Sequence, residues 1–277
     1  MRFTKMHGIG NDYVFVDMFH ETVADPQKAA IEISNRHFGV GSDGLILIEP
    51  SQTADIRMSM FNPDGSQAEM CGNGVRCVAK YAYEHGLVSS TEIDLETLAG
   101  TKHLQLDLAP DGTVQSVRVN MGPPIFERSA IPVRGSGPDA LDEEIVSGDE
   151  TFSASCLSIG NPHCVILVGD VDTFPVAIHG PIIETHSLFP QRANVEFVQV
   201  ISPQRIRQRT WERGAGETLA CGTGACAVAV ACASRGLTQR HVTVQLLGGD
   251  LDLDWADDGN VYMTGPAVEV FTGDWPD

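Results

Sequence analysis

The sequence predicts an α+β protein of two pseudo-symmetric homologous domains, each of mixed β-structure wrapped round a central helix. Three observations carry that expectation. The chain repeats itself: Ile9-Gly-Asn-Asp-Tyr-Val14 matches Ile159-Gly-Asn-Pro-His-Cys164, and Cys71-Gly-Asn-Gly-Val75 matches Cys221-Gly-Thr-Gly-Ala225, both pairs 150 positions apart (9 to 159, 71 to 221). One Gly-rich match can arise by chance; two at a single offset point to duplication. Many short runs rich in β-branched and apolar residues lie between the matched blocks. Each Cys-Gly-x-Gly then opens a segment apolar enough to be a buried helix.

A further match closes the two halves. Asp111-Gly112 followed by Val119–Pro123 resembles Asp258-Gly259 followed by Tyr262–Pro266. The expected domains are therefore residues 1–119 plus 267–277, and residues 120–266, both of ordinary domain size. Strands are expected at Tyr13–Asp17, Leu45–Glu49, Ile56–Phe61, His103–Leu108, Val114–Asn120, Cys164–Val168, Val195–Ile201, His241–Leu246 and Val261–Thr264. Asp25-Pro26 supplies an N-cap and first-turn proline for a helix with Ala29, Ala30 and Ile33 on one side.

The helix after Cys71 carries Val75, Val78, Ala79 and Ala82 at helical spacing, with Gly86 suited to its C-terminal cap. After Cys221, Ala225–Ala233 is small or apolar on every side, so it reads as a fully buried helix ending before Gly236. Arg134–Asp149, rich in Gly, Ser and acid, is expected to be a surface loop. Gly39-Val-Gly-Ser-Asp-Gly44 satisfies the dinucleotide fingerprint literally. It has a helix before it and a strand after it, the reverse of what that fingerprint needs, so it reads as a tight connection.

Composition narrows the function classes. The chain has 277 residues, 42% hydrophobic and 20% charged, as a soluble globular protein would. A net charge of −19 argues against a nucleic-acid partner. No apolar run approaches the roughly 18 residues of a membrane span, and Met1–Asp12 lacks the order of a secretory signal. A cytoplasmic location is expected, with the seven cysteines as free thiols. Cys71/Cys77 and Cys221/Cys226 do not form the paired short-spacing sets that supply four zinc ligands, and no metal is expected. Without Cys-x-x-Cys a thioredoxin-like role fails. Cys77, Cys156, Cys164, Cys226 and Cys232 fall in apolar runs and are assigned to packing.

A helix N-terminus presents unpaired N–H groups and roughly half a positive charge, which favours thiolate over thiol and can hold an anion. The flanking glycines let a ligand approach the backbone closely. One such cysteine is as readily a small buried residue as a catalyst. Two, kept by both copies of a repeat, suit a reaction that inverts a stereocentre: one thiol removes a proton and the other delivers one to the opposite face.

Several blocks resemble the diaminopimelate epimerase family, the pyridoxal-independent enzymes of lysine and peptidoglycan precursor synthesis. They are Lys5-Met-His-Gly-Ile-Gly-Asn-Asp12, Phe61-Asn-Pro-Asp-Gly-Ser66, Met70-Cys-Gly-Asn-Gly-Val-Arg76, Gly160-Asn-Pro-His163, Glu212-Arg-Gly-Ala-Gly-Glu-Thr218, Ala220-Cys-Gly-Thr-Gly224 and Thr264-Gly-Pro266. The resemblance covers essentially the whole chain. It implies that Cys71 and Cys221 are the acid/base pair, that His163 and Glu212 assist them, and that no cofactor takes part. On residue type alone His163 is equally a core histidine.

The implied substrate, 2,6-diaminopimelate, has an ammonium and a carboxylate at each end. The resemblance places Asn11, Asn62, Asn161, Asn194, Glu212 and Arg213 around it, with backbone N–H groups of Gly72-Asn73 and Gly222-Thr223 on the reacting carboxylate. Arg213 can grip a carboxylate by two hydrogen bonds, and Glu212 can accept from an ammonium. Singly, each asparagine is also an ordinary turn former. Gly44 stands where some family members have Gln, so any binding role runs through its backbone. The resemblance also implies a homodimer, with Phe271 at the interface. Two rivals stay open: a proline or hydroxyproline racemase of the same fold, and a redox-sensing protein in which Cys71 and Cys221 form a disulfide.

Overall fold

The computed structural model describes residues 1–276 and divides into two compact units. One comprises Met1–Asn120 together with the return of the chain from Thr264; the other is Met121–Met263. The first contains β1 (Arg2–Gly8), β2 (Asn11–Asp17), α1 (Pro26–Ser34), β3 (Leu45–Glu49), β4 (Ile56–Phe61), β5 (Gln67–Ala68), α2 (Gly72–Glu84), β6 (Glu92–Glu96), β7 (Lys102–Leu108) and β8 (Val114–Asn120). The second contains β9 (Ala140–Ser147), β10 (Glu150–Ser158), β11 (Pro162–Leu167), α3 (Val176–Glu184), β12 (Asn194–Ser202), β13 (Arg205–Glu212), β14 (Gly216–Thr218), α4 (Gly222–Ser234), β15 (His241–Leu246) and β16 (Gly249–Trp255). β17 (Val261–Gly265) leads out of it, and β18 (Val268–Asp274) belongs to the first unit.

The repeat read from sequence extends to strand senses and, beyond the first hairpin of each unit, to registers. In the first unit β1–β2 is antiparallel, β2–β3 parallel, β3–β4 antiparallel, β4–β6 parallel and β6–β7 antiparallel. In the second, β10–β11, β11–β12, β12–β13, β13–β15 and β15–β16 follow the same order of senses. Val14 pairs with Leu45 and Cys164 with Val195; Ile56 pairs with Leu95 and Ile206 with Val244. Because a one-residue slip would turn every side chain to the wrong face, the shared register means the two units bury equivalent positions.

Each unit is built on a helix inside its strands. α2 packs against β1, β2, β3, β6, β7, β8 and β18, and α4 against β10, β11, β12, β13, β15 and β16. In α4 the residues from Ala225 to Cys232 are all buried. The alternation of Ala with Val and Cys keeps the cylinder thin enough for strands on all sides. α2 is buried from Gly72 through Ala79, and only its last turns reach solvent at Lys80 and Glu84. The strands between the central helix and the outer helix are covered on both faces, which is why Leu45-Ile-Leu-Ile48 is a continuous apolar run. Val14, Val16, Leu45 and Leu47 face Ala30 and Ile33 of α1, whose N-cap Asp25 accepts from Lys28 N–H at 3.1 Å.

One expectation is corrected. Arg134–Asp149 is not all loop: Ala140–Ser147 is a strand paired antiparallel with β10. Ala140, Ile145 and Ser147 turn inward while Asp142 and Glu144 are exposed, so its acids decorate the solvent face of an alternating strand. The Gly39–Gly44 segment is the expected connection from α1 to β3. Gly44 has φ +152°, and a Cβ there would lie 2.3 Å from the Phe61 carbonyl oxygen, so its glycine has a conformational reason.

Gly180 in α3 lies against the base of the Trp211 side chain. A Cβ at Gly180 would fall 2.5 Å from Trp211 Cγ and 2.8 Å from its Cβ, atoms too close to the backbone to swing away. Gly180→Ala is expected to destabilise the protein by about 1–3 kcal/mol, read as a lowered urea midpoint at unchanged slope. A midpoint equal to the parent's would show that β13 shifts freely against α3.

Candidate active site

In the first unit the site is organised by the start of α2. Cys71 is the N-cap, extended at φ −132°, ψ 121°, and its side chain caps no backbone N–H. Half-buried, its Sγ donates instead to Asn11 Oδ1 at 3.3 Å. That oxygen also accepts from Asn73 Nδ2 at 3.2 Å. The asparagine is held in this orientation from behind, because its Nδ2 donates to Asp43 Oδ2 at 2.7 Å. Asp43 in turn accepts from Asp12 N–H and from Arg36, which also binds Asp12. Lys5 completes the cluster on Asp12 and the Gly41 carbonyl. Burial works to raise the Asp12 pKa, but the hydrogen bonds from Arg36 and Lys5 outweigh it and hold the carboxyl below its ordinary value.

Arg76, 0% exposed, ties the same corner together. It donates to Gly72 O at 3.3 Å, Asn73 Oδ1 at 2.9 Å and Pro266 O at 3.2 Å. Tyr13 is buried beside Cys71. Its phenol is pushed well above the ordinary range by burial, reinforced by the charge of Cys71 and a hydrogen bond with it. Asn62 sits at the β4–β5 turn, where its Nδ2 donates to Ser66 Oγ at 3.0 Å.

The second unit has the same scaffold and different chemistry. Cys221 caps α4 at φ −118°, ψ 106° and is 5% exposed. Thr223 Oγ1 lies 3.6 Å from its Sγ. Its pKa is pushed well up by burial first and then by the charges of Glu212 and Glu196, while the Thr223 hydroxyl and the Gly224 N–H pull the other way. Glu212, at the end of β13, turns its carboxyl inward. Burial raises its pKa and the neighbouring Glu196 charge adds to that; hydrogen bonds from Thr218 (2.5 Å) and Cys221 and the charge of His163 oppose the rise. A thiol and a carboxyl in hydrogen-bond contact, the carboxyl raised toward neutrality, form a competent proton-exchanging pair.

His163 is 0% exposed on β11. Its Nδ1 lies 2.8 Å from Glu196 Oε1 and its Nε2 2.8 Å from Asn161 Oδ1. Asn194 holds backbone with one N–H and one lone pair of its amide: Nδ2 donates to Pro162 O at 3.0 Å, and Oδ1 accepts from Arg213 N–H at 2.9 Å. It joins the Asn161 corner to the Glu212-Arg213 corner. The Arg213 side chain is exposed and rests on Gln191 O at 3.3 Å.

The 150-residue offset therefore sets Asn11 against Asn161, Asn62 against Glu212, and Asn73 against Thr223, as the sequence indicates. Four residues around the cysteines were not singled out by sequence reasoning: Tyr13, Asp43, Glu196 and Gln208. The offset held the signal for two of them. Glu196 and Gln208 fall where the first copy has Ile46 and Met58, and acid or amide replacing hydrocarbon in a buried strand is the mark of a polar interior site. Phe271, on β18, is 47% exposed, pairs in register with Lys5 and meets Phe3 edge-on at 6.0 Å.

Two units, each a set of strands round a buried helix, are a fold that solved racemase and epimerase structures share. A probable proline racemase from Agrobacterium radiobacter, solved with bound carbonate, superposes with a TM-score of 0.71 over 99% of this chain and 92% of that one, at 16% identity. The particular family comes from sequence. The family model described as diaminopimelate epimerase matches residues 3–127 and 155–270. The diaminopimelate epimerase of Pelotomaculum thermopropionicum is 53% identical over 100% of this chain and 99% of that protein, and that of Moorella thermoacetica 54% identical over 100% and 99%. The chain belongs to the diaminopimelate epimerase family.

The thiols differ enough in burial to be separated chemically. Cys77 and Cys232 are pushed up to about 12 by burial and stay protonated at pH 8. Iodoacetamide at pH 8 is expected to modify Cys71 first and Cys221 more slowly, leaving Cys77 and Cys232 unlabelled in the native protein, as followed by peptide mass spectrometry. Labelling of Cys232 ahead of Cys71 would contradict this order.

Proposed function

We propose that this chain interconverts LL- and meso-2,6-diaminopimelate without a cofactor, with Cys71 and Cys221 as the two proton carriers at one α-carbon. One observation carries the reading: two cysteines occupy equivalent N-cap positions on two equivalent buried helices, in a chain of the diaminopimelate epimerase family. Cys71 starts as a thiol, donating to Asn11. Cys221 has a proton acceptor in contact, Glu212. When Glu212 takes that proton, the Cys221 thiolate removes the substrate α-proton and Cys71 delivers its own to the opposite face. In the reverse direction the roles exchange.

The negative charge that develops on the substrate carboxylate is met by the N-terminal ends of α2 and α4, at Gly72-Asn73 and Gly222-Thr223. Asn11, Asn62, Asn161, Asn194, Glu212 and Arg213 provide the polar groups for the two amino-acid ends, Arg213 as a bidentate grip on a carboxylate. Gly44, with its carbonyl accepting from Val14 N–H and Ser42 Oγ, serves by seating β3.

We also propose a homodimer through β18. Val268, Val270 and Phe271 are 41%, 54% and 47% exposed on this one strand, an apolar patch suited to an isologous contact. Phe271→Asp is expected to convert a dimer to a monomer in sedimentation velocity; a parent protein that sediments as a monomer overturns this part.

The deciding experiment is incubation with LL-diaminopimelate in D₂O, followed by proton NMR and chiral separation. Loss of the α-proton signal with appearance of the meso isomer is expected. Cys71→Ala and Cys221→Ala should each lower kcat by about 10³-fold or more in both directions. A mutant with normal turnover would sink the two-thiol mechanism, and no exchange by reduced, folded parent would move the substrate to another amino acid, proline and hydroxyproline first.

A further inference from the structure

The two copies of the repeat differ most sharply behind their cysteines. At the start of α2, a Cβ built on Gly74 would meet Ile46 Cδ1 at 2.7 Å, Met58 Cε at 3.3 Å and Cys71 Cβ at 3.7 Å. At the start of α4, a Cβ on Gly224 would meet Glu196 Oε1 at 2.7 Å, Gln208 Nε2 at 3.1 Å and Cys221 Sγ at 3.2 Å. The same wall of the same scaffold is hydrocarbon in one copy and a carboxylate with an amide in the other. Packing does not require the polar version, since the first unit shows that Ile and Met fill the space.

The polar version is also costly to bury. Glu196 and His163 are both 0% exposed, Glu196 Oε2 has no hydrogen-bond partner, and neither has Gln208 Oε1. Only one oxygen of the carboxylate is used, and it is used on His163 Nδ1 at 2.8 Å. The repeat partner of His163 is Tyr13, whose neighbouring wall residue is Ile46. Imidazole and carboxylate therefore appear together in the second copy and are absent together from the first.

We infer that Glu196 is a positioning residue of the epimerase: by accepting the Nδ1 proton of His163 it fixes the tilt of the imidazole and keeps Nε2 turned toward Asn161. This rests on the epimerase reading above. A buried carboxylate on one ring nitrogen holds a proton at that nitrogen and fixes the orientation of the ring. His163 then stands as the charge partner of Glu212, which itself contacts Cys221. The other titratable groups whose charge reaches this cluster are Cys221, Glu212 and Cys164. Glu196 makes the second thiol's surroundings rich in proton sites and gives the two half-reactions unequal support.

The test combines kinetics with ¹⁵N NMR of His163, assigned by its loss in His163→Gln. In the parent, Nδ1 of His163 is expected to be protonated with a strongly deshielded proton. In Glu196→Gln, the His163 ¹⁵N shifts are expected to move as the Nδ1–carboxylate hydrogen bond is lost. The same variant should lower kcat about tenfold or more, with KM changed less than about threefold. An Nδ1 without its proton in the parent overturns the inference, and needs no variant that folds. Unmoved ¹⁵N shifts in Glu196→Gln overturn it, whatever happens to the rate; so does an unchanged kcat. If the parent fails to epimerise diaminopimelate, the substrate reading falls, while the parent's NMR still decides whether Glu196 sets the imidazole.

Discussion

Everything in this protein is arranged around seating the first turn of a helix inside a wrap of strands. A helix N-terminus carries N–H groups that need partners and a dipole that favours negative charge, so burying one is unfavourable unless something answers both. Here the answer is a cysteine at the cap, glycines that let strands approach to contact distance, and small residues along the helix behind. Gly74 and Gly224 have no room for a side chain, and the Ala-rich α4 is thin enough to be enclosed by six strands. Each cysteine and its close glycine approach lie within the same turn.

The two copies show how far one scaffold can vary its polar groups while keeping its strand senses. In the first unit the cysteine answers to an asparagine, itself pinned by the Asp43, Arg36, Asp12 and Lys5 cluster. In the second it answers to a carboxylate, with a buried imidazole–carboxylate pair beside it. The charges of the first cluster reach solvent at Arg36, whereas those of the second do not. One cysteine is therefore surrounded by orienting amides and ion pairs, the other by groups that can hold a proton. The inequality follows from about three substitutions on an otherwise repeated frame: Tyr13 to His163, Ile46 to Glu196, Asn62 to Glu212.

Much of this was legible in the sequence because a duplication supplies its own control. The offset exposed the cysteines, the asparagine pairs and both central helices, and helical spacing separated the one-sided α2 from the uniformly apolar α4. What escaped had physical reasons. β9 hides its alternation under acids, and β1, with Arg2, Lys5 and His7 among its seven residues, lacks the β-branched run that marks a strand. Lys5 is buried only because Asp12 and a carbonyl meet it, a partnership across a hairpin that spacing cannot reveal. The backbone bonds of Asn194, from its amide to Pro162 O and from Arg213 N–H, span residues that spacing does not bring together.

The return of β18 has a consequence for how the molecule is made. Its register with β1, Arg2 against Asp274 and Lys5 against Phe271, ties together segments made far apart in time. The second unit is encoded wholly between them and can close on its own strands as it emerges. The first must hold β1 with an open edge until β18 arrives, a long-range pairing of the kind that slows folding and leaves strand edges vulnerable to other chains.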